Sequence, residues 1–200
     1  MLFDPEIFCD LCEPKFGKVD DKFFEFICAV KKAEKFSSDV GLEFCRLKVN
    51  VDLDWLDVFA ASVLYRHSTS GRSKVSLGEN YDNIAKNMLE KYNSNQSVSE
   101  GQKIFGALCV VNSSRIISKN IVPVEIAQNK VNGIRIYKLI LDGGIEIHIK
   151  VSNQPNPLQR LRDNYCIIEG KFGDSLDNKL MERFLKSVEL KNKKDANKKS

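Results

Sequence analysis

The sequence predicts an α+β protein: a helical N-terminal part followed by an antiparallel sheet or hairpin packed by a C-terminal helix. Apolar residues recur at helical 3–4 spacing as far as Tyr92, then change to alternation and continuous runs beyond Lys103. Between them, Asn93 to Gly101 is nearly free of hydrophobes and reads as a linker. Asp142-Gly143-Gly144 separates two alternating segments, and glycine adopts the positive φ that primed hairpin turns require. The expected organisation is a helical lobe at 1–92, a linker at 93–103, an α+β lobe at 104–190 with its hairpin at 134–151, and a disordered lysine-rich tail at 191–200.

Asp20 and Asp21 are caps for a first helix running to about Lys35, with Phe23, Phe24, Ile27, Val30 and Lys31 on its amphipathic stripe. Glu43 to Val49 reads as a short strand. Asp52 or Asp54 caps a second helix through Trp55, Val58, Phe59, Ser62, Val63 and Tyr65, which ends at a loop from Ser68 to Gly71. Glu79 to Tyr92 is a third, with Ile84, Met88 and Leu89 on its apolar side.

Phe105 to Val111 is a continuous apolar run, as in a strand buried on both faces. Ile134 to Leu141 and Ile145 to Val151 form the hairpin arms. A two-residue loop puts Ile134, Ile136, Ile140, Ile145, Ile147, Ile149 and Val151 on the core face. It puts Arg135, Tyr137, Glu146, His148 and Lys150 on the other face, with Tyr137 or Leu139 opposite His148. That second face is half-exposed sheet or a site in which Glu146 and His148 act as an acid/base pair. Leu158 to Arg162 is a short helix, and Asp174 caps a last amphipathic helix through Val188 that packs onto the sheet.

The chain of 200 residues is long enough to bury about 70% of its unfolded surface. Its start lacks the basic and apolar segments of a signal peptide, and nowhere does it approach about 18 consecutive apolar residues. A cytoplasmic location follows, in which six cysteines are thiols or metal ligands and not disulfides. Of 31 basic and 27 acidic residues, five lysines and one aspartate lie between Lys191 and Ser200, leaving 26 of each sign in residues 1–190. A neutral body argues against nucleic acid as the main partner, because phosphate binding draws its affinity from a basic surface. DNA remains open, since Lys15, Lys18, Lys22, Lys31, Lys32 and Lys35 gather in or near the first helix.

Cys9 and Cys12 form a C-x-x-C knuckle, half of a structural zinc site, which takes four sulfur or nitrogen donors. Cys28 and Cys45, then His67, are the nearest completing ligands. Cys28, Cys45, Cys109 and Cys166 are otherwise small buried hydrophobes. Phosphate-loop, dinucleotide, zinc-protease and serine-hydrolase signatures are absent from the sequence. Arg66, His67, Arg72 and Lys74, around Ser68-Thr69-Ser70, are candidate binding residues, set against a plain loop after a helix C-terminus whose dipole favours Arg and His.

The run from Cys9 to Lys18, with Cys12-Glu13 and Phe16 and then Phe23-Phe24, resembles the second knuckle of uncharacterised bacterial and phage proteins described as HNH-endonuclease-like. Phe59 to Ser70 resembles their F-x-x-S-x-L-W-R-A-S-x-S helix end, Val75-Ser76-Leu77-Gly78 their V-x-L-G segment, and Gly143-Gly144 their hairpin. The resemblance covers residues 5 to 151 and implies that Cys9 and Cys12 are zinc ligands. It assigns no catalytic residue, because the first knuckle and active-site histidine of such proteins lie upstream, where this sequence has eight residues without Cys or His.

Two functions are therefore expected. The first is a non-catalytic binding or regulatory protein of phage or mobile-element type, with a host-takeover, counter-defence or repressor role, whose partner is a host or phage protein sooner than DNA. The second is a metal-dependent nuclease or nuclease subunit whose metal site is built from Glu146, His148, His67 and nearby acids.

Overall fold

The structure is a computed structural model that describes residues 13–32, 35–37, 44–47, 53–71, 73–112, 125–131, 133–141, 145–156, 159 and 167–170. Helices dominate its first half and sheet its second, so the fold is α+β as expected. The knuckle Cys9-Cys12, Arg72, the Asp142-Gly143-Gly144 turn, Leu158 to Arg162 apart from Gln159, the C-terminal helix and the lysine tail lie outside the described residues.

Helix α1 spans Glu13–Lys32 and starts seven residues before the expected cap at Asp20. Glu13 and Pro14 suit a first turn, where an acid meets the positive end of the dipole and proline lacks only an N–H that had no partner. Phe16, Val19, Phe23 and Phe26 form its buried stripe, whereas Phe24 is 55% exposed and belongs to the outer face. Helix α2, Leu53–Ser70, is buried on nearly every side from Trp55 to Leu64, as befits the central helix of its layer. Phe23 stacks on Phe59 with centroids 3.9 Å apart, and Phe26 meets Trp55 edge-on at 5.2 Å, fastening α1 to α2.

Residues 68–70, expected as loop, continue α2. Thr69 Oγ1 donates to the Tyr65 carbonyl (2.8 Å) and Ser70 Oγ to that of His67 (3.1 Å), satisfying last-turn acceptors, and Gly71 ends the helix at φ +66°. Helix α3, Glu79–Asn93, follows as expected and buries Ala85, Met88 and Leu89. Within the expected linker, α4 (Ser99–Gln102) forms a turn with Gly101 buried against Met88.

Strands β1 (Lys35–Ser37), β2 (Phe44–Leu47), β3 (Phe105–Asn112), β4 (Glu125–Val131), β5 (Ile134–Ile140), β6 (Ile145–Val151) and β7 (Ile167–Gly170) make one sheet in the order β1-β2-β7-β3-β6-β5-β4. All neighbours are antiparallel except β3 and β7. Strand β4 was not expected, yet its hairpin had a signal: Val131 pairs with Ile134 around Asn132-Gly133, and Gly133 has φ +78°.

Helices α1 to α3 and one side of the sheet enclose a single apolar cluster that runs from Phe16 to Val151. Phe105, Ala107 and Cys109 of β3, Tyr137 and Leu139 of β5, and Ile145, Ile147, Ile149 and Val151 of β6 face it. The register overturns the expected distribution of side chains along the hairpin. Leu141 N–H donates to the Ile145 carbonyl (2.8 Å) and Leu139 pairs with Ile147, so three residues and not two join the strands. One extra residue moves every β5 side chain to the opposite face relative to β6. Tyr137 and Leu139 thus join the helix-facing core, and Ile134, Ile136 and Ile140 share the far face with Glu146, His148 and Lys150.

Candidate functional site

On the far face, the residue opposite His148 is Lys138, correcting the expected Tyr137 or Leu139. Glu146, two positions before His148 on β6, shares its side of the strand. Lys138 Nζ lies 2.8 Å and His148 Nε2 3.2 Å from the same carboxylate oxygen, Glu146 Oε2. The face is not the half-exposed surface expected from its alternation: every residue of β6 is buried, and Glu146, His148 and Lys138 are 0%, 5% and 5% exposed. Leu108 and Val110 of β3, which pair with His148 and Glu146, are buried as well, as are Ile136 and Ile140.

The charges within this cluster follow from its contacts. Burial pushes the Glu146 carboxyl up, but hydrogen bonds from His148 and Lys138, with the charge of the Lys138 ammonium, outweigh burial and bring it down to about 2. Glu146 is therefore a carboxylate and can only accept. Burial lowers His148 below 6.5 against the pull of Glu146, and Lys138 adds to the lowering, so the imidazole is neutral. A neutral imidazole beside a carboxylate carries its proton on the nitrogen that touches it, so Nε2 donates to Glu146 and Nδ1 is the basic nitrogen. Two residues further along β6, Lys150 Nζ donates to the Lys103 carbonyl at the foot of β3.

His67 stands apart from this cluster. It lies in the last turn of α2, on the helical side of the sheet, while Glu146 and His148 occupy the far side. Burial, then the neighbouring Arg66 guanidinium, holds His67 below 6.5, so it does not serve as a dipole-stabilised cation. Its carbonyl accepts from the Ser70 and Ser73 hydroxyls at 3.1 and 3.0 Å. Ser68 Oγ donates to Asp82 Oδ2 (3.1 Å) and accepts from Leu77 N–H (3.0 Å), tying the end of α2 to the start of α3.

Arg66 is 2% exposed and turned inward. Both terminal nitrogens reach the Asp20 carboxylate at 2.8 Å, a bidentate pair, and the guanidinium lies 4.5 Å from the Phe16 ring centroid. Lys74 is exposed. On the outer flank of α1, Lys18 Nζ donates to Asn95 Oδ1 (3.0 Å) and Lys22 Nζ to Tyr92 Oη (3.3 Å), so these lysines bind α1 to the end of α3.

Asp57 is the polar residue the sequence reading missed. It is fully buried on α2, where Oδ1 accepts the backbone N–H of Ala107 at 2.7 Å and Oδ2 accepts Gln102 Nε2 at 3.2 Å. Among the described residues β7 pairs with β3 from Cys109 onward, and Asp57 supplies the acceptor for the N–H of Ala107. An aspartate inside an otherwise apolar helical run was its visible signal.

Cys109 is buried and its thiol is pushed up to about 12, which makes it the inert apolar filler expected. Cys28, expected to be buried, is exposed on α1 because it falls on the helix's outer face. Among the described residues no group of three His, Cys, Asp or Glu side chains is placed to hold a metal ion, and no helix is long and apolar enough to cross a membrane. No family model, curated protein or solved structure matches the chain.

Proposed function

We propose that this chain is a non-catalytic binding or regulatory protein of the phage or mobile-element type, working in the cytoplasm on the remnant of an HNH-like body. The observation that carries the proposal is the fate of Glu146: its carboxylate is shared by Lys138 and His148 inside the sheet and committed to internal charge balance. Arg66 is committed in the same way to Asp20. Groups engaged inside the fold are poorly disposed to turn a substrate over, which leaves recognition at the surface as the function. The partner is a host or phage protein in preference to DNA, because the charges of residues 1–190 balance. Zinc at Cys9 and Cys12 belongs to the same proposal, as a structural ligand pair from the HNH-like resemblance.

Purified full-length protein, incubated with plasmid DNA and Mg²⁺, Mn²⁺ or Zn²⁺, is expected to leave the plasmid intact. Cutting that disappears in His148→Ala would establish the nuclease function instead. Metal analysis is expected to return stoichiometric zinc that is lost in Cys9→Ser. A salt-titrated mobility-shift assay separates the partners, since a steep negative salt slope would identify DNA as the ligand.

A further inference from the structure

Arg66, Lys91 and Lys138 each meet a carboxylate, of Asp20, Glu100 and Glu146. Three lysines of α1 do not. Lys15, Lys18 and Lys22 stand at i, i+3 and i+7 on one side of that helix, a row about 10 Å long. Lys18 Nζ donates to Asn95 Oδ1 and lies 5.0 Å from the Tyr92 ring centroid. Lys22 Nζ donates to Tyr92 Oη and lies 5.8 Å from the Trp55 ring centroid. Lys15 is held through its backbone carbonyl, which accepts from Asn93 Nδ2 at 2.7 Å. Among the described residues none of the three ammonium groups pairs with an acid, so the fold places them against amide, phenol and ring and leaves their charge uncancelled. Lys15 and Lys18 are exposed, and so is Phe24, 55% exposed on the same helix.

We propose that this outer side of α1 is a docking surface for an acidic segment of a partner protein, whose carboxylates meet Lys15, Lys18 and Lys22 while Phe24 supplies an apolar anchor. This surface rests on the protein-binding function proposed above and gives that function its contact. Side chains already held by neutral partners lose less freedom when an anion arrives, which favours binding. Asp21 and Glu25, both exposed, stand beside the lysine row, three residues after Lys18 and Lys22. A phosphate backbone is negative throughout and meets these two acids as like charges, whereas a protein segment can set a carboxylate opposite each lysine and a neutral or basic residue opposite each acid. An exposed aromatic ring is likewise a contact that a protein surface can bury.

The experiment is fluorescence anisotropy of the full chain with two labelled probes: a helical peptide carrying glutamates at three- and four-residue spacing around one leucine, and a short DNA duplex. The peptide is expected to bind, to weaken as salt is added, and to lose its binding when its glutamates are replaced by glutamine. Lys15→Gln, Lys18→Gln and Lys22→Gln should each weaken it about two- to fivefold, and Phe24→Ala should weaken it as well. Glutamine keeps a donor for Asn95 and Tyr92, and urea unfolding of each variant checks that the fold is kept. Lys15→Gln touches no side-chain contact among the described residues, so it decides the matter even if the other two unfold. Equal affinity for the glutamine peptide, unchanged binding in Lys15→Gln, or tighter binding of the duplex that is lost in Lys15→Gln would overturn the acidic-protein surface, the last by giving this face to nucleic acid. A peptide that does not bind at all overturns the surface alone, since the non-catalytic reading stands or falls on the plasmid assay.

Discussion

Lys138 and His148 stand directly opposite each other on β5 and β6, and both reach Oε2 of Glu146, at 2.8 and 3.2 Å. Glu146 is the hub of this contact, so its removal strands a buried ammonium and a buried imidazole together. Glu146→Gln is expected to cost about 3–5 kcal/mol, read as a shift in the urea midpoint at pH 7.

The same carboxylate fixes an acid limit for the fold. Its folded value of about 2 lies below the ordinary 4.5, so its contribution is present above 4.5 and disappears as pH falls through about 2. That difference corresponds to about 3 kcal/mol. Wild-type stability should fall through this window, and the curve of Glu146→Gln should be flatter there by one proton. Equal slopes for the two proteins between pH 4.5 and 2 would contradict the assignment.

Asp20→Ala removes the carboxylate that both terminal nitrogens of the buried Arg66 guanidinium reach, with an expected loss of about 3 kcal/mol. Arg66→Lys should not restore stability, because an ammonium lacks the planar fork that meets both carboxylate oxygens. A double-mutant cycle over Asp20 and Arg66 measures the coupling. Additive losses would show that the pair contributes nothing beyond its separate members.

Asp57→Ala removes the acceptor of the Ala107 N–H inside the core, and about 2–3 kcal/mol should be lost. Asp57→Asn keeps a carbonyl oxygen at that position and should recover part of the loss. Thermal unfolding of the two variants side by side makes the comparison, and an equally stable Asp57→Ala would remove the role given to this carboxylate.

Gly101 is close to Met88, where an added Cβ would come within 2.1 Å of Cγ and 2.3 Å of Sδ. Alanine in place of a helical glycine gains up to about 1 kcal/mol, and overpacking of a buried contact costs about 1–3 kcal/mol. The clash involves the middle of a buried side chain, so the cost should win and Gly101→Ala should unfold at lower denaturant. Combining it with Met88→Ala should cost less than the sum of the two changes.

Much of the local structure was legible because each element carries its own period. The stripe of α3, the unbroken apolar run of β3 and the two arms of the hairpin are properties of neighbouring residues. Missed elements also left traces, in Glu13-Pro14 at the start of α1 and Asn132-Gly133 before β5. The candidate site was legible only as a list. Glu146 and His148 were named together from their spacing on one strand, but Lys138, which decides their charge state, could not be found without the register.

The sequence by itself marked the second and third helices, the strand β3 and the two arms β5 and β6, and showed that residues 1–190 carry balanced charge, because backbone preference and composition are local quantities. Tertiary structure alone decided which faces of β5 and β6 coincide, since one residue more or less in the connection reverses every side chain. It also decided that a face read as polar and half-exposed is buried, and hence that Glu146 stays ionised while His148 stays neutral. Burial and pairing depend on what lies across the sheet, and that partner comes from another strand.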